Sequence, residues 1–372
     1  KFSSEKGFSK IRNIEIQVGR TGALTPVAKI DPINIGGVVV SNATLHNEDE
    51  IIRKEIRIGD TICIQRAGDV IPQVLYVDKE KRDTNSKKFN FPEKCPSCGL
   101  KTVKEFNSNT KKKDAITRCP DLNFNCQEIM REKLKHFVSK DALNIEGLGK
   151  KLIDNFWNKK LIKYPFDIFN LDLNFLINLD GWGQKSISNL KSSINKSKKV
   201  SLDRFIFSLG IRHIGEENAK VLAKHFLQVN AFFVSCKKLA QNQNKFLTEL
   251  QSIDGIGNSQ IESLKRFFSN KKNLEIISKL IGILDVSQYK YLNKKTAISG
   301  KLIMFTGGFA DKSRSELKSL AESLGAKIVS SISKKTDFLV TGSQKPTVRK
   351  INEAKNLNVK ILTESDWNKI IN

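Results

Sequence analysis

Over the first 90 residues apolar and polar positions alternate with a period of two, the signature of half-buried strands. Ile11–Gly19 (IRNIEIQVG), Gly36–Leu45 (GGVVVSNATL), Gly59–Gly68 (GDTICIQRAG) and Asp69–Val77 (DVIPQVLYV) are the predicted strands, parted by Gly, Asp and Pro turns. Strands this short, meeting at tight turns, predict a small closed β-barrel. A charged stretch, Asp78–Asn90, reads as a linker to a short cysteine-bearing segment. From Arg131 to about Leu284 the apolar spacing changes to the helical period. Beyond the polar stretch Ser287–Ser299, strands (LIMFTGG, AKIVSS, TDFLVTG, VKIL) alternate with helices (SRSELKSLAESLG, VRKINEAKNLN, ESDWNKII), which predicts a small parallel α/β sandwich. The fold class is therefore multidomain α+β, divided as 1–90 barrel, 91–130 cysteine module, 131–286 helical array and 296–372 α/β domain.

Within the helical array one pattern recurs four times: apolar residues, a glycine turn, then an amphipathic helix. The copies are Leu143–Ile153 (LNIEGLGKKLI), Leu176–Leu190 (LINLDGWGQKSISNL), Leu209–Leu222 (LGIRHIGEENAKVL) and Leu250–Leu264 (LQSIDGIGNSQIESL). Such a recurrence marks a repeated structural unit, and each copy reads as a helix-hairpin-helix. Glycine permits a tight turn and close approach of the backbone to another molecule. The amides opening the second helix then point outward at the positive end of the helix dipole, suited to a phosphate and blind to a base. Gly147 and Gly149, Gly181 and Gly183, Gly210 and Gly215, and Gly255 and Gly257 are the expected backbone contacts. The third pair is irregular, since it lacks the Gly-x-Gly spacing of the other three.

Six cysteines are present and four cluster. Cys95 and Cys98 form a knuckle in CPSCG, and Cys119 and Cys126 follow in RCPDLNFNC. Two pairs at this spacing suit tetrahedral Zn2+, and four thiolates leave no position for water, so the metal is expected to be structural. Cys63 and Cys236 sit in apolar stretches and read as buried thiols. That usage fits a reducing compartment better than a disulfide framework.

Composition adds a partner class. Lys and Arg number 64 against 39 Asp and Glu, a formal charge of +25, which points to a polyanion. Lysine far exceeds arginine and asparagine and isoleucine abound, as an AT-rich genome would produce, so part of the charge follows coding bias. No segment approaches the roughly 20 apolar residues needed to span a bilayer, and no signal peptide is visible.

Barrel, four-cysteine module, four hairpins and a terminal α/β unit in this order resemble the C-terminal part of bacterial NAD-dependent DNA ligases. The resemblance is carried by QVGRTGALTPVA (Gln17–Ala28), VSNATLHN (Val40–Asn47), IRIGDTICIQRAGDVIPQV (Ile56–Val74), KHFVS (Lys135–Ser139) and FSLGIRHIGEENA (Phe207–Ala219). It implies that the barrel is an OB-fold and the last unit a BRCT domain, matching GKLIMFTG, LGAKIVSSISKKTDFLVTG and the helix of Trp367. The family seals nicks in duplex DNA: a lysine takes AMP from NAD, AMP passes to the 5′-phosphate, and the 3′-hydroxyl displaces it with Mg2+ present. The lysine belongs to a K-x-D-G motif, but here Asp180-Gly181 and Asp254-Gly255 follow Asn178 and Ser252 at the required position. The resemblance thus implies a chain that clamps nicked duplex without regard to sequence. The adenylation domain would lie elsewhere, in a longer protein or on a separate chain.

Lys1, opening the sequence in place of methionine, matches the start of the family's last nucleotidyltransferase motif, whose lysine contacts the adenylate phosphate. Arg20 and Arg66, each beside a glycine turn, are placed to reach phosphates. Val70 and Ile71 precede Pro72 in a turn that could wedge apolar surface into a minor groove, or equally fill a strand core. Thr306 with Lys350 or Arg349 is a candidate phosphate site of the terminal domain. The expected setting is a monomer in the bacterial cytoplasm, associated with the nucleoid. A non-catalytic DNA-binding scaffold descended from a ligase is the alternative.

Overall fold

A computed structural model describes residues 5–65, 72–107, 111–178, 181–289, 296–310, 312–343 and 347–371. Lys1, Arg66, Val70 and Ile71 lie outside these described residues. The chain forms two compact units, Lys1–Gln288 and Tyr289–Asn372.

The first unit opens with β1 (Lys6–Val18), β2 (Leu24–Ile35), β3 (Val38–Thr44), β4 (Arg57–Ile58), β5 (Thr61–Gln65) and β6 (Gln73–Val77). Five of these close a barrel in the order β1-β2-β3-β6-β5. Alternate residues, among them Ile11, Ile14, Ile30, Ile62, Ile64 and Val74, point inward and fill it. Strand β2 contains Pro26 and Pro32, which hid it from the alternation pattern. Pro32 falls where the ladder to β3 is interrupted between Lys29 and Ile33, so its missing N–H breaks no regular bond there. A six-residue helix, α1 (Glu48–Arg53), also escaped the pattern; Asn47 caps it by accepting from the Glu50 amide at 2.9 Å.

The segment read as a linker is fastened to the barrel. Asp60 is fully buried and takes two bonds of 2.9 Å from the Arg82 guanidinium and one of 2.8 Å from the Arg57 amide. Strand β7 (Lys87–Lys88) pairs with β4, and Phe89 and Phe91 pack on the barrel core. A hairpin of β8 (Val103–Asn107) and β9 (Lys112–Arg118) then leads to α2 (Gln127–Phe137).

The helical array continues with α3 (Lys150–Asn158), α4 (Gln184–Ser197), α5 (Leu202–Ser208), α6 (Glu216–Phe226), α7 (Val229–Ala240), α8 (Asn244–Gln251), α9 (Asn258–Phe268) and α10 (Lys271–Ile283). Two short strands the helical period concealed, β10 (Lys199–Ser201) and β11 (Asp285–Ser287), pair in parallel and return the end of the array to its middle. Cys63 and Cys236 are both buried, and burial pushes the Cys236 thiol well up.

In the second unit β12 (Leu302–Thr306), β13 (Lys327–Ile328), β14 (Phe338–Thr341) and β15 (Lys360–Thr363) form a parallel sheet in the order β13-β12-β14-β15. Helices α11 (Arg314–Ser323), α12 (Val348–Asn356) and α13 (Glu364–Ile371) complete it. Trp367 of α13 is fully buried, its ring edge-on to Phe305 at 5.1 Å.

Candidate nucleic-acid interface and metal centre

Gly149, Gly183, Gly215 and Gly257 each stand immediately before a helix, capping α3, α4, α6 and α9 from an extended conformation. All four are exposed. Among the described residues, none comes within 4 Å of the place a Cβ would take at Gly149, Gly183 or Gly215. At Gly257 only the Gln260 side chain does, and its Oε1 accepts from the Gly257 amide at 3.1 Å. Three hairpins therefore leave the backbone uncovered at a positive helix end, and the fourth holds a polar side chain over it.

Two residues earlier the backbone turns left-handed, at Gly147 (φ +82), Gly181 (φ +81) and Gly255 (φ +87). In the third hairpin that position belongs to His213 (φ +60), so the aligned segments are Ile145–Gly149, Ile211–Gly215 and Ile253–Gly257. The structure thus places Gly210 outside the turn that its spacing from Gly215 suggested. Gly210 is buried, a Cβ there would stand 3.3 Å from His136 Cδ2, and its carbonyl accepts from Arg20 Nη1 at 3.4 Å. The spacing hid this register because histidine seldom takes positive φ. Flanking apolar residues anchor these three turns: Ile145, Leu148, Ile211, Ile214, Ile253 and Ile256 are all buried.

Side chains distinguish the four turns. Lys150 and Lys151 open α3 and Lys185 follows Gln184 in α4, whereas Glu216 and Glu217 open α6, and Asn258 and Ser259 open α9. A groove of about 740 Å3 runs between the first two hairpins, lined by Gly147, Trp182, Ser186, Asn189, Lys196 and Arg204 among others. Arg212 of the third hairpin instead turns toward β8–β9, pairing with Glu105 and lying 3.6 Å from Asp114, while Arg266 of α9 reaches Glu105 at 3.0 Å. Burial raises the Glu105 carboxyl, but the two guanidinium groups outweigh it and leave the group below its ordinary value.

The four clustered cysteines meet where the barrel, the β8–β9 hairpin and α2 join. Their Sγ atoms all lie within 4.8 Å of one another, with Cys95–Cys126 at 3.9 Å and Cys98–Cys119 at 3.4 Å. A tetrahedron with metal–sulfur bonds of about 2.3 Å has edges near 3.8 Å, so the donor set fits Zn2+. Burial and the adjoining thiols push the Cys119 thiol far up, and a divalent cation is the counterion that would hold four sulfurs as thiolates. The knuckle turns at Gly99 (φ +74), whose amide donates to Cys95 O at 2.9 Å. Gly22 of the barrel lies against the Cys119 carbonyl, where a Cβ would come within 2.5 Å, and the Cys119 amide donates to Gly22 O at 2.8 Å. The module is bolted to the barrel at that point.

Arg20 is half-buried, and burial lowers its pKa; its one guanidinium bond found among the described residues is that to Gly210. In the terminal domain Thr306 is 1% exposed, and its hydroxyl donates to Thr347 Oγ1 at 3.3 Å and takes a long 3.5 Å bond from the Thr347 amide. Lys350 is half-buried on α12.

Three domain families match the chain. Residues 8–86 match the NAD-dependent DNA ligase OB-fold domain, residues 204–277 the helix-hairpin-helix motif, and residues 293–371 the BRCA1 C Terminus (BRCT) domain. With these domains in this order, the chain belongs to the NAD-dependent DNA ligase family as a C-terminal portion of such a protein. It is 53% identical over 372 residues to the DNA ligase of Pelagibacter ubique, covering 100% of this chain and 54% of that protein. It is 44% identical over 378 residues to that of Rickettsia canadensis and 43% over 383 residues to that of Xanthobacter autotrophicus, covering 100% of this chain in both and 54% and 53% of those proteins. The chain spans about half the length of the curated relatives it matches. Among the described residues no helix is long and apolar enough to cross a membrane.

Proposed function

We propose that this chain grips nicked duplex DNA for a NAD-dependent ligase, holding the substrate while an adenylation domain beyond this sequence performs the first step. The observation that carries the reading is the set of exposed glycine caps at Gly149, Gly183 and Gly215, which stand at helix starts with none of the described residues across the place of a Cβ. Lys150, Lys151 and Lys185 beside two of them add the cations that a phosphate backbone attracts. In this reading Gly147, Gly181, Gly255 and Gly257 shape the remaining contacts, and Arg20, Arg66, Val70 and Ile71 act from the barrel. Lys1 would meet the adenylate phosphate, and Thr306 with Lys350 would take a phosphate in the BRCT domain.

Zn2+ would be held by Cys95, Cys98, Cys119 and Cys126, and it supplies folding energy to a segment too small for a core of its own. NAD and Mg2+ belong to the complete enzyme, which seals 5′-phosphate to 3′-hydroxyl in replication and repair. The chain acts as a monomer in the cytoplasm, close to the nucleoid. Mixed with NAD, it should bind nicked duplex yet form no AMP adduct detectable by mass; an adduct would overturn the division of labour.

A further inference from the structure

His213 occupies the one left-handed turn position of the four hairpins that is not glycine, and it does so beside two glutamates. Its ring is tethered. Nδ1 lies 3.0 Å from Ser263 Oγ and 3.3 Å from Ser259 O, both on α9. Ser263 already donates its own hydroxyl proton to Ser259 O at 2.7 Å. Its oxygen therefore has only lone pairs to offer the ring, so Nδ1 must carry the proton. In the neutral imidazole Nε2 is then a bare lone pair, and it has no partner among the described residues. The turn itself is fixed, since Asn218 Nδ2 donates to His213 O at 2.8 Å.

A phosphate arriving at this hairpin meets a lone pair unless the ring gains a second proton. Once protonated, the same ring offers Nε2–H as a cationic donor while Nδ1 keeps its tether. The other three hairpins present no side chain at this position. The charged groups on the segments packed here are Arg212, Glu216, Glu217 and Lys220 on its own side, Glu262, Lys265 and Arg266 on α9, and Glu105, Asp114 and Arg118 on the β8–β9 hairpin. Arg212 and Arg266 are committed to Glu105, and Lys220 lies 3.2 Å from both Glu216 and Glu217. No cation of the third turn other than His213 is thus left to meet an incoming phosphate from the turn position itself.

We infer that His213 is a duplex contact whose binding is coupled to uptake of one proton. This rests on the duplex-gripping reading above. The test measures nicked-duplex affinity of the whole chain at fixed salt, at about pH 6 and about pH 8, on either side of the ordinary histidine value of about 6.5. The wild type should bind more tightly at the lower pH by about threefold to fivefold beyond any change in His213→Gly, the size of one exposed charge pair. Glycine suits a φ of +60 and already serves at the three matching turns, so His213→Gly should fold as the wild type does. His213→Lys, charged at both pH values, should bind tightly at both. An equal pH response in wild type and His213→Gly overturns the proton-linked contact alone. Absence of binding by the wild type at both pH values overturns the duplex reading and this inference together.

Discussion

The first and third hairpins share one backbone and differ in nearly everything attached to it. Both run from a buried isoleucine through a left-handed residue to a glycine cap, Ile145–Gly149 in one and Ile211–Gly215 in the other. The first then presents Lys150 and Lys151 beside an open groove, whereas the third presents Glu216 and Glu217 and commits Arg212 to the cysteine module. A helix start stabilises acidic side chains through its dipole, so Glu216 and Glu217 favour α6 as a helix while weakening it as a seat for phosphate. In the proposed reading the repeat is one structural device assigned two duties: an open grip in the first copy, and in the third a joint to the β8–β9 hairpin with a narrower grip through His213.

Loss of the metal should give the largest effect. Structural zinc contributes on the order of 10 kcal/mol to the folding of small modules. Chelation or Cys119→Ser should therefore abolish hydrogen-exchange protection in β8 and β9, with the bonded amides of Ile214 and Ala219 losing more protection than those of Leu148 and Ile153. Equal loss at both hairpins would erase the distinction drawn between them. Next is Glu105→Ala, which leaves Arg212 only Asp114 among the described residues and returns the half-exposed Arg266 to water, and should lower stability by about 1 kcal/mol, read by chemical denaturation. The pH dependence has a definite sign. The folded carboxyl titrates below its unfolded value, so its contribution is complete above the ordinary glutamate value of about 4.3 and is lost as pH falls through the depressed folded value. The Glu105→Ala protein should show a shallower acid limb.

Exchanging the charges tests the comparison from the other side. Lys150→Ala with Lys151→Ala should flatten the salt dependence of duplex binding by up to about 1.8 log units per log unit, about 0.9 for each phosphate no longer neutralised. Glu216→Gln with Glu217→Gln should tighten binding, by a smaller factor because Lys220 already screens both carboxylates. The smallest effect on stability belongs to Gly149→Asp. Aspartate is a good helix cap, so melting should move by only a few tenths of a kcal/mol while duplex affinity falls. The same change at Gly215, already beside two carboxylates, should lower affinity less.

Much of this fold was legible because each domain buries its apolar residues at a regular period. The BRCT strands and helices follow directly from that alternation, and Trp367 sits at the centre of its core. What escaped was set by tertiary contact. Strand β2 is held by pairing on both edges despite Pro26 and Pro32. The apparent linker is held by the buried Asp60–Arg82 pair, which no local pattern announces. The cysteine cluster could be read from spacing alone, because thiolate pairs around a metal constrain sequence tightly. Gly210 misled for the opposite reason: a glycine needed for packing against His136 stands near a glycine that caps a helix, and what separates them is tertiary, Gly210 being buried and Gly215 exposed. Aligning the first, third and fourth turns by their buried isoleucines, rather than by their glycines, would have revealed His213.

The central claim is that this chain holds duplex DNA by its phosphates, through backbone amides and a few lysines, without reading sequence. The direct measurement is affinity for two nicked duplexes of unrelated sequence across a salt series. The account predicts one steep line for both, with a slope of about −0.9 for each phosphate contacted. A shallow slope, or affinities that separate by sequence, would contradict it.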